Sequence, residues 1–141
     1  MKKSKLHLQS ENLLQGKDFK ITPSRIEILS ILIKKHSPMT VEDIQSLLQI
    51  KINKTTVYRA LDSFVKKGIL SQTYFRDAKT YYEYQDSHHH HIVCTSCGVK
   101  EEISLCIKSS LPTLSQQSKK FSSVHDHILE FFGLCNTCTS H

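Results

Sequence analysis

Apolar residues recur at helical spacing in several stretches of the first part of the chain. A Thr-Pro pair followed by apolar positions three and four residues apart predicts a helix over about residues 23–35. A capping-box pattern that begins at Thr40 predicts a second, shorter helix. Asn53 as a cap and Gly68 as a stop signal predict a third helix between them. An amphipathic stretch over residues 8–14 is also expected to be helical.

Beyond the third helix the helical spacing is lost. Two stretches rich in Tyr, Phe and Thr, residues 69–75 and 80–85, flank an Arg-Asp-Ala-Lys segment, which predicts a β-hairpin. Helix, short helix, longer helix and hairpin form, in this order, a winged helix-turn-helix domain, whose third helix lies in the DNA major groove. That helix is either merely solvated on its exposed face or contacts bases and phosphates there. The exposed residues are Lys54, Thr55, Thr56, Tyr58 and Arg59.

The last third of the chain has shorter periodic segments. Strands are expected at residues 92–93 and 99–103, on either side of a C-x-x-C motif. Residues 105–119 are expected to form a helix, and residues 124–134 have strand character. The sequence therefore predicts an α+β protein in which the winged helix is followed by a small α/β domain.

Charge divides the chain between these two domains, predicted over residues 1–85 and 86–141. The first contains 15 Lys+Arg and 8 Asp+Glu, a net charge of +7, whereas the second contains 4 and 5, a net charge of −1. All five cysteines and seven of the nine histidines lie in the second. The first domain is a candidate to bind a polyanion, and the second to bind metal. Without an export signal or a long apolar run, the protein is expected to be cytoplasmic, with no membrane partner.

Four of the cysteines form two C-x-x-C pairs with 37 residues between them. Two pairs supply four thiolates to a tetrahedral ion and leave no open position, as in structural zinc sites. A redox-active C-x-x-C motif would not need a second copy at the far end of the same domain. The predicted zinc ligands are Cys94, Cys97, Cys135 and Cys138. The fifth cysteine, Cys106, is interpreted as a small buried apolar residue rather than as a ligand.

Four consecutive histidines precede the first cysteine pair. If they continue as a strand, alternate side chains point to opposite sides, with His89 and His91 on one and His88 and His90 on the other. One short segment then serves two separate metal sites. A solvated histidine run that binds no specific metal is the alternative interpretation.

Nearby carboxylates offer further ligands, because zinc, iron, nickel and manganese sites combine imidazole with carboxylate oxygen. Glu83, Glu101 and Glu102 are the nearest candidates. The motifs of zincins, H-E-x-x-H, and of zinc deaminases, H-x-E with P-C-x-x-C, are absent, as is a glycine-rich phosphate loop. The sequence therefore indicates a metal-binding protein that is not an enzyme.

Over about residues 18–138 the sequence resembles the ferric uptake regulator (Fur) superfamily of metal-dependent transcriptional repressors. The matching segments are K-I-T-P-S-R at 20–25, T-T-V-Y-R-A-L at 55–61, the histidines and C-x-x-C-G at 88–98, and F-F-G-L-C-N-T-C at 131–138. The resemblance implies a homodimer, joined through the second domain, that binds double-stranded operator DNA. By the same resemblance, Tyr58 and Arg59 contact the major groove and Lys20 the minor groove.

The resemblance also implies a regulatory metal site at the hinge between the domains. Its ligands carry over onto Glu83, His89, His91 and Glu102. A further family ligand falls on Pro38, and His36 is the candidate substitute. Another family site maps onto His88, His90 and His127. Ser109 stands where that site often has a carboxylate.

Two ions, zinc and iron, are the candidates for the regulatory metal. Glu83 resembles iron or peroxide sensors, whereas the histidine run and Cys106 resemble zinc sensors. Zinc is slightly favoured over iron, because the ligand missing at Pro38 leaves three or four donors, and zinc suits this coordination number better than six-coordinate iron does. One alternative function is a constitutive zinc-ribbon nucleic-acid-binding protein without metal sensing. Another is a metal storage protein without DNA affinity.

Overall fold

The structure is a computed structural model that describes residues 3–86, 88–125 and 127–140. The chain divides into two compact units, Met1–Asp86 and Ser87–His141. The sequence placed the domain boundary after residue 85, one residue earlier. None of the helices in the described ranges combines the length and the apolar character that a bilayer-spanning segment needs.

The first unit contains the predicted order of helices and hairpin. Its elements are α1 (Lys5–Gly16), α2 (Pro23–Lys35), α3 (Val41–Leu47), α4 (Lys54–Lys66), β1 (Leu70–Tyr74) and β2 (Thr80–Tyr84). The two strands pair antiparallel, with Leu70 opposite Tyr84. This arrangement confirms the helix-helix-hairpin plan, with α4 as the predicted recognition helix.

Side-chain caps explain where the helices begin. The Thr22 hydroxyl accepts the N–H of the third residue of α2, and Asn53 Oδ1 accepts the Thr56 N–H at 2.8 Å. Thr40 and Asp43 form the reciprocal capping box of α3. Gly68 takes a φ of 75° just after α4, a conformation that glycine adopts at little cost. The four signals in the sequence therefore act as predicted.

An apolar core holds the helices of the first unit to the hairpin. Leu29, Leu61 and Phe64 are fully buried in it, and Tyr82 of β2 packs against the same cluster. Met39 and Tyr82 also exchange two backbone hydrogen bonds, of 2.9 and 2.8 Å. Helix α4 is thus fixed by its apolar side, which leaves its polar side free to face solvent.

The second unit is a three-stranded sheet with short helices. Its elements are β3 (His90–Cys94), β4 (Lys100–Ile103), α5 (Leu111–Gln117), β5 (Glu130–Gly133) and α6 (Asn136–Thr139). The strand order is β4-β3-β5. The central strand β3 pairs antiparallel with β4 and parallel with β5. This mixed sheet confirms the predicted α+β class.

Two sequence predictions in this unit were wrong in extent. The helix expected over residues 105–119 is only α5, preceded by a 3-10 turn over Lys108–Ser110. Proline in the first turn of α5 fixes its start, since proline lacks the N–H that an earlier helical turn would use. Among the described residues of the strand expected over 124–134, those that form a strand are Glu130–Gly133, which lie in register with β3.

Candidate metal centres and nucleic-acid interface

The four predicted zinc ligands come together at one end of the sheet. Cys94 ends β3, and Gly133, its partner in register, ends β5 just before Cys135 and α6. The sulfur atoms of Cys94, Cys97, Cys135 and Cys138 all lie within 4.8 Å of one another. The parallel β3–β5 pairing therefore joins two motifs that are far apart in the sequence.

The chemistry of this cluster fits a zinc ion. Backbone N–H groups of Cys135 and Cys97 donate to the Cys94 sulfur and lower the pKa of this thiol to about 6. The Cys135 contact measures 3.4 Å from N to Sγ. Such donors favour the thiolate, which is the form that coordinates metal. Four sulfur donors in one cluster fit a closed tetrahedral ion, as in structural zinc sites.

Three of the predicted regulatory ligands cluster on the sheet. The imidazole rings of His89 and His91 lie 4.9 Å apart, and both residues are buried. Glu102 stands opposite His91 in the β3–β4 register, and its Oε1 lies 3.5 Å from His89 Nδ1. Glu101 is opposite Ile92 and points to the other face. The structure therefore brings the two imidazoles together and places the Glu102 carboxylate beside His89; zinc and iron both accept such donors.

The two other residues proposed for this site belong to the first unit. Glu83 lies on β2, is 1% exposed, and accepts a hydrogen bond of 3.0 Å from Gln85 Nε2. His36 follows α2, and its Nε2 lies 3.5 Å from Asp86 Oδ1. The role of Glu83 and His36 as metal ligands stays a prediction.

A further cluster contains the remaining histidines of the run. His90 Nε2 lies 3.2 Å from His88 Nε2 and 3.1 Å from His127 Nε2. Cys106 completes the cluster, with its Sγ 3.5 Å from His127 Nε2. Cys106 was interpreted from the sequence as a small buried apolar residue, but it is only half-buried and its sulfur lies in this cluster. Ser109, where the family often has a carboxylate, is exposed.

The surroundings of His90 lower its pKa, which favours the neutral form of its ring. Burial lowers the pKa of His90, and the neighbouring His88 and His127 lower it further. A lowered pKa keeps this ring neutral at pH values where an ordinary histidine begins to take up a proton. Neutral imidazole is the form that binds a metal ion.

The predicted DNA-binding residues all lie on the exposed side of the first unit. The five on α4 and Lys20 before α2 are solvent-exposed, and Tyr58 is 40% exposed. Lys54 Nζ lies 2.8 Å from Glu42 Oε1 and 5.9 Å from the centre of the Tyr58 ring. Glu42 therefore partly balances the charge of Lys54, whereas Tyr58 and Arg59 are exposed on the same helix.

A concave surface joins α4 to the start of α2. It encloses about 430 Å³ and has three basic side chains, those of Lys20, Arg25 and Arg59. Arg25 Nη1 donates to the Lys20 carbonyl at 2.7 Å, which ties this arginine to the segment before α2. Arg25 ends the K-I-T-P-S-R motif and was not among the predicted DNA-binding residues. Basic residues at the start of one helix and on the face of another suit a phosphate backbone.

Comparisons with known proteins agree with these features. The model of the Ferric uptake regulator family matches residues 16–132. The ferric uptake regulation protein of Neisseria gonorrhoeae is 33% identical over 135 residues, covering 90% of this chain and 92% of that protein. The peroxide-responsive repressor PerR of Staphylococcus epidermidis is 30% identical over 122 residues, covering 84% and 81%.

A solved structure gives the same result for the fold. The ferric uptake regulator of Vibrio cholerae superposes with a TM-score of 0.72 at 27% identity, covering 89% of this chain and 98% of that one. The family model spans most of the chain, and the two relatives are covered over 92% and 81% of their own lengths. The chain therefore belongs to the ferric uptake regulator family.

Proposed function

We propose that this chain is a cytoplasmic, metal-responsive transcriptional repressor that binds double-stranded operator DNA as a homodimer. Two of its relatives are named as a regulator of ferric uptake and as a peroxide-responsive repressor. The observation that carries the proposal is the division of chemistry between the units. The first unit exposes a basic recognition helix, whereas the second gathers imidazole and thiol groups.

Recognition of DNA rests on α4 and on the segment before α2. Tyr58 and Arg59 contact base edges in the major groove, and Arg59 is suited to a bidentate contact with guanine. Lys20 contacts the minor groove, Thr55 and Thr56 reach base edges, and Lys54 mainly neutralises phosphate. A homodimer presents two copies of α4 to two half-sites, so that their spacing controls operator affinity.

The four cysteines hold a structural zinc ion. When bound, zinc supplies a cross-link between the two C-x-x-C motifs and contributes folding free energy to a small domain. Cys94 and Cys97 lie at the end of β3 and in the β3–β4 connection, whereas Cys135 and Cys138 lie just before α6 and within it. The ion therefore links the β3–β4 connection to α6. The second unit thereby keeps the β3–β5 pairing on which the histidine positions depend.

Regulation depends on Glu83, His89, His91 and Glu102, which hold a divalent ion, zinc or iron. Glu83 comes from the wing of the DNA-binding unit, whereas the other three residues come from the second unit. A ligand set drawn from both units makes the conformation that fits DNA depend on occupancy by the ion. We favour zinc as the ion, because Pro38 replaces a family ligand and reduces the number of donors.

The test is operator binding on a promoter fragment from the protein's own locus. Protein stripped of its regulatory metal is titrated with Fe(II), Zn(II), Mn(II) and Ni(II) separately, with structural zinc retained. We expect metal to raise operator affinity about 5–150-fold, the usual range of allosteric coupling. Equal affinity with and without metal would instead support the constitutive zinc-ribbon alternative, to which the comparisons lend no support.

A further inference from the structure

The sheet of the second unit has a cluster of metal-binding side chains at each end. The four cysteines lie where β3 and β5 end. At the opposite end, β3 begins at His90, β4 ends at its register partner Ile103, and β5 begins at Glu130. Cys106 follows β4 by three residues and His127 precedes β5 by three residues. The topology of the sheet therefore brings three separate segments to one place.

The distances in this second cluster match those of a tetrahedral ion. Zinc–nitrogen bonds of about 2.0–2.1 Å and zinc–sulfur bonds of about 2.3 Å separate two nitrogens by about 3.3 Å and a nitrogen from a sulfur by about 3.6 Å. The two N–N distances to His90 are 3.2 and 3.1 Å. The distance from Cys106 Sγ to His127 Nε2 is 3.5 Å. All four ligand atoms lie within 4.8 Å of one another.

Neighbouring backbone groups hold two of these side chains in position. Cys106 Sγ accepts the Lys108 N–H at 3.2 Å, which directs the sulfur into the cluster. The His90 ring hydrogen-bonds to the backbone of Leu129, while its Nε2 faces His88 and His127. Hydrogen bonds of this kind orient the ligands of metal sites and fix the tautomer of a ligating histidine.

We propose that Cys106 is a metal ligand and that, with His88, His90 and His127, it forms a three-nitrogen, one-sulfur zinc site. The family resemblance mapped only the three histidines to this place and put Ser109 at the position of a carboxylate. A thiolate changes the preference of the site, because sulfur ligands favour zinc, whereas iron(II) and manganese(II) favour oxygen and nitrogen in higher coordination. The site is therefore selective for zinc over iron(II) and manganese(II).

Cobalt(II) is the probe for the sulfur ligand, because a thiolate–cobalt bond gives a charge-transfer band that imidazole does not. The full-length protein is first treated with a mild chelator, and elemental analysis confirms that the structural zinc remains. Cobalt(II) is then added, with the zinc content measured again to exclude exchange at the four cysteines. We expect a thiolate charge-transfer band and the visible bands of tetrahedral cobalt in the wild type.

Substitutions at Cys106 distinguish the contribution of the sulfur ligand from that of the three histidines. Cys106→Ser abolishes the charge-transfer band and weakens cobalt binding by at least about tenfold, since even supporting hydrogen bonds change metal affinity on that scale. Cys106→Asp keeps a negative donor and binds cobalt without the band, so it tests the proposal if the serine variant fails to fold. Ser109→Ala, a nearby exposed position, leaves the spectrum unchanged.

Selectivity is tested by displacement of the bound cobalt. Two equivalents of zinc, enough for this site and for the proposed regulatory site, remove the charge-transfer band, whereas a tenfold excess of iron(II) or manganese(II) under anaerobic conditions leaves it. An identical cobalt spectrum in the wild type and in Cys106→Ser, or no cobalt binding by the wild type, overturns the proposal. Because no DNA is present, these outcomes are independent of whether the protein represses transcription.

Discussion

The two units of this chain are stabilised by different means. The first buries one cluster of apolar side chains, with Leu29, Leu61 and Phe64 at its centre. The second, within its described residues, buries three apolar side chains, those of Val93, Cys94 and Leu111, beside three buried histidines. A domain without a large core needs another source of folding free energy, and a zinc ion held by the four cysteines is the source that we propose. The second unit thus has a four-cysteine cluster suited to a stabilising ion and, separately, histidines suited to the ion that is sensed.

Loss of the structural zinc site has the largest expected effect. Cys94→Ser removes one of four thiolates, and the apparent binding free energy of structural zinc is on the order of 10 kcal/mol. We expect the second unit to unfold and the dimer to dissociate, while the helical signal of the first unit persists. Circular dichroism, sedimentation and elemental analysis measure these outcomes. Cys106→Ser is the matched control and keeps the structural zinc; a folded, dimeric, zinc-loaded Cys94→Ser protein contradicts the assignment.

A substitution in the apolar core tests whether the first unit is stabilised by its core and not by metal. Leu61 is fully buried, so Leu61→Ala is expected to lower the free energy of unfolding of the first unit by about 2–5 kcal/mol. Zinc content is expected to stay the same. Leu8 is 52% exposed, and Leu8→Ala is the control, with a change within about 0.5 kcal/mol. Denaturant titration distinguishes the two variants, and a loss of zinc from Leu61→Ala would refute the division between the units.

Substitutions on α4 test whether the first unit reads a DNA sequence. Tyr58→Ala and Arg59→Ala are each expected to weaken operator binding by about 1–3 kcal/mol and to reduce discrimination against random DNA. Lys54 is paired with Glu42, so Lys54→Ala is expected to cost less and mainly to reduce the salt dependence of binding. Fluorescence anisotropy on specific and random duplexes measures both quantities. Equal losses on the two duplexes for all three variants would rule out sequence reading by α4.

Acidification has the smallest effect, and it acts on the second unit. The pKa of His90 is lowered in the folded protein, so the unfolded chain takes up a proton first as the pH falls below about 6.5. Stability of the protein that retains only structural zinc is therefore expected to fall from about pH 6.5 downwards, through the folded-state pKa. His90→Gln is expected to flatten this dependence. A steeper loss in His90→Gln would show that other groups control it.

Local signals in the sequence identified the first unit almost completely. The caps at Thr22, Thr40 and Asn53 and the stop at Gly68 act within one helical turn, so they need no knowledge of the rest of the chain. The resemblance to the ferric uptake regulators and the α+β class are confirmed by the family match and by the fold. Membership of a family of transcriptional regulators also agrees with the expectation that the chain is not an enzyme.

Longer-range features were predicted less well. The extent of β5 depends on its parallel pairing with β3, which no pattern within residues 124–134 reveals. Cys106 was taken for an apolar residue for the same reason, because its neighbour His127 is 21 residues away and reaches it only through the order of the strands. The C-x-x-C pairs were found despite a longer separation, because each pair carries its own spacing signal. Arg25 was overlooked because its place in the basic concave surface depends on how α2 packs near α4.

The central claim is that metal in the second unit controls DNA binding by the first, and one ratio tests it directly. Operator affinity is measured with and without added metal for the wild type, His91→Ala and His90→Ala, each checked to be a folded dimer with structural zinc. We predict that metal raises operator affinity about 5–150-fold in the wild type and hardly at all in His91→Ala. In His90→Ala, whose side chain lies in the other cluster, metal is expected to raise operator affinity nearly as much as in the wild type. An unchanged ratio in His91→Ala would contradict the account.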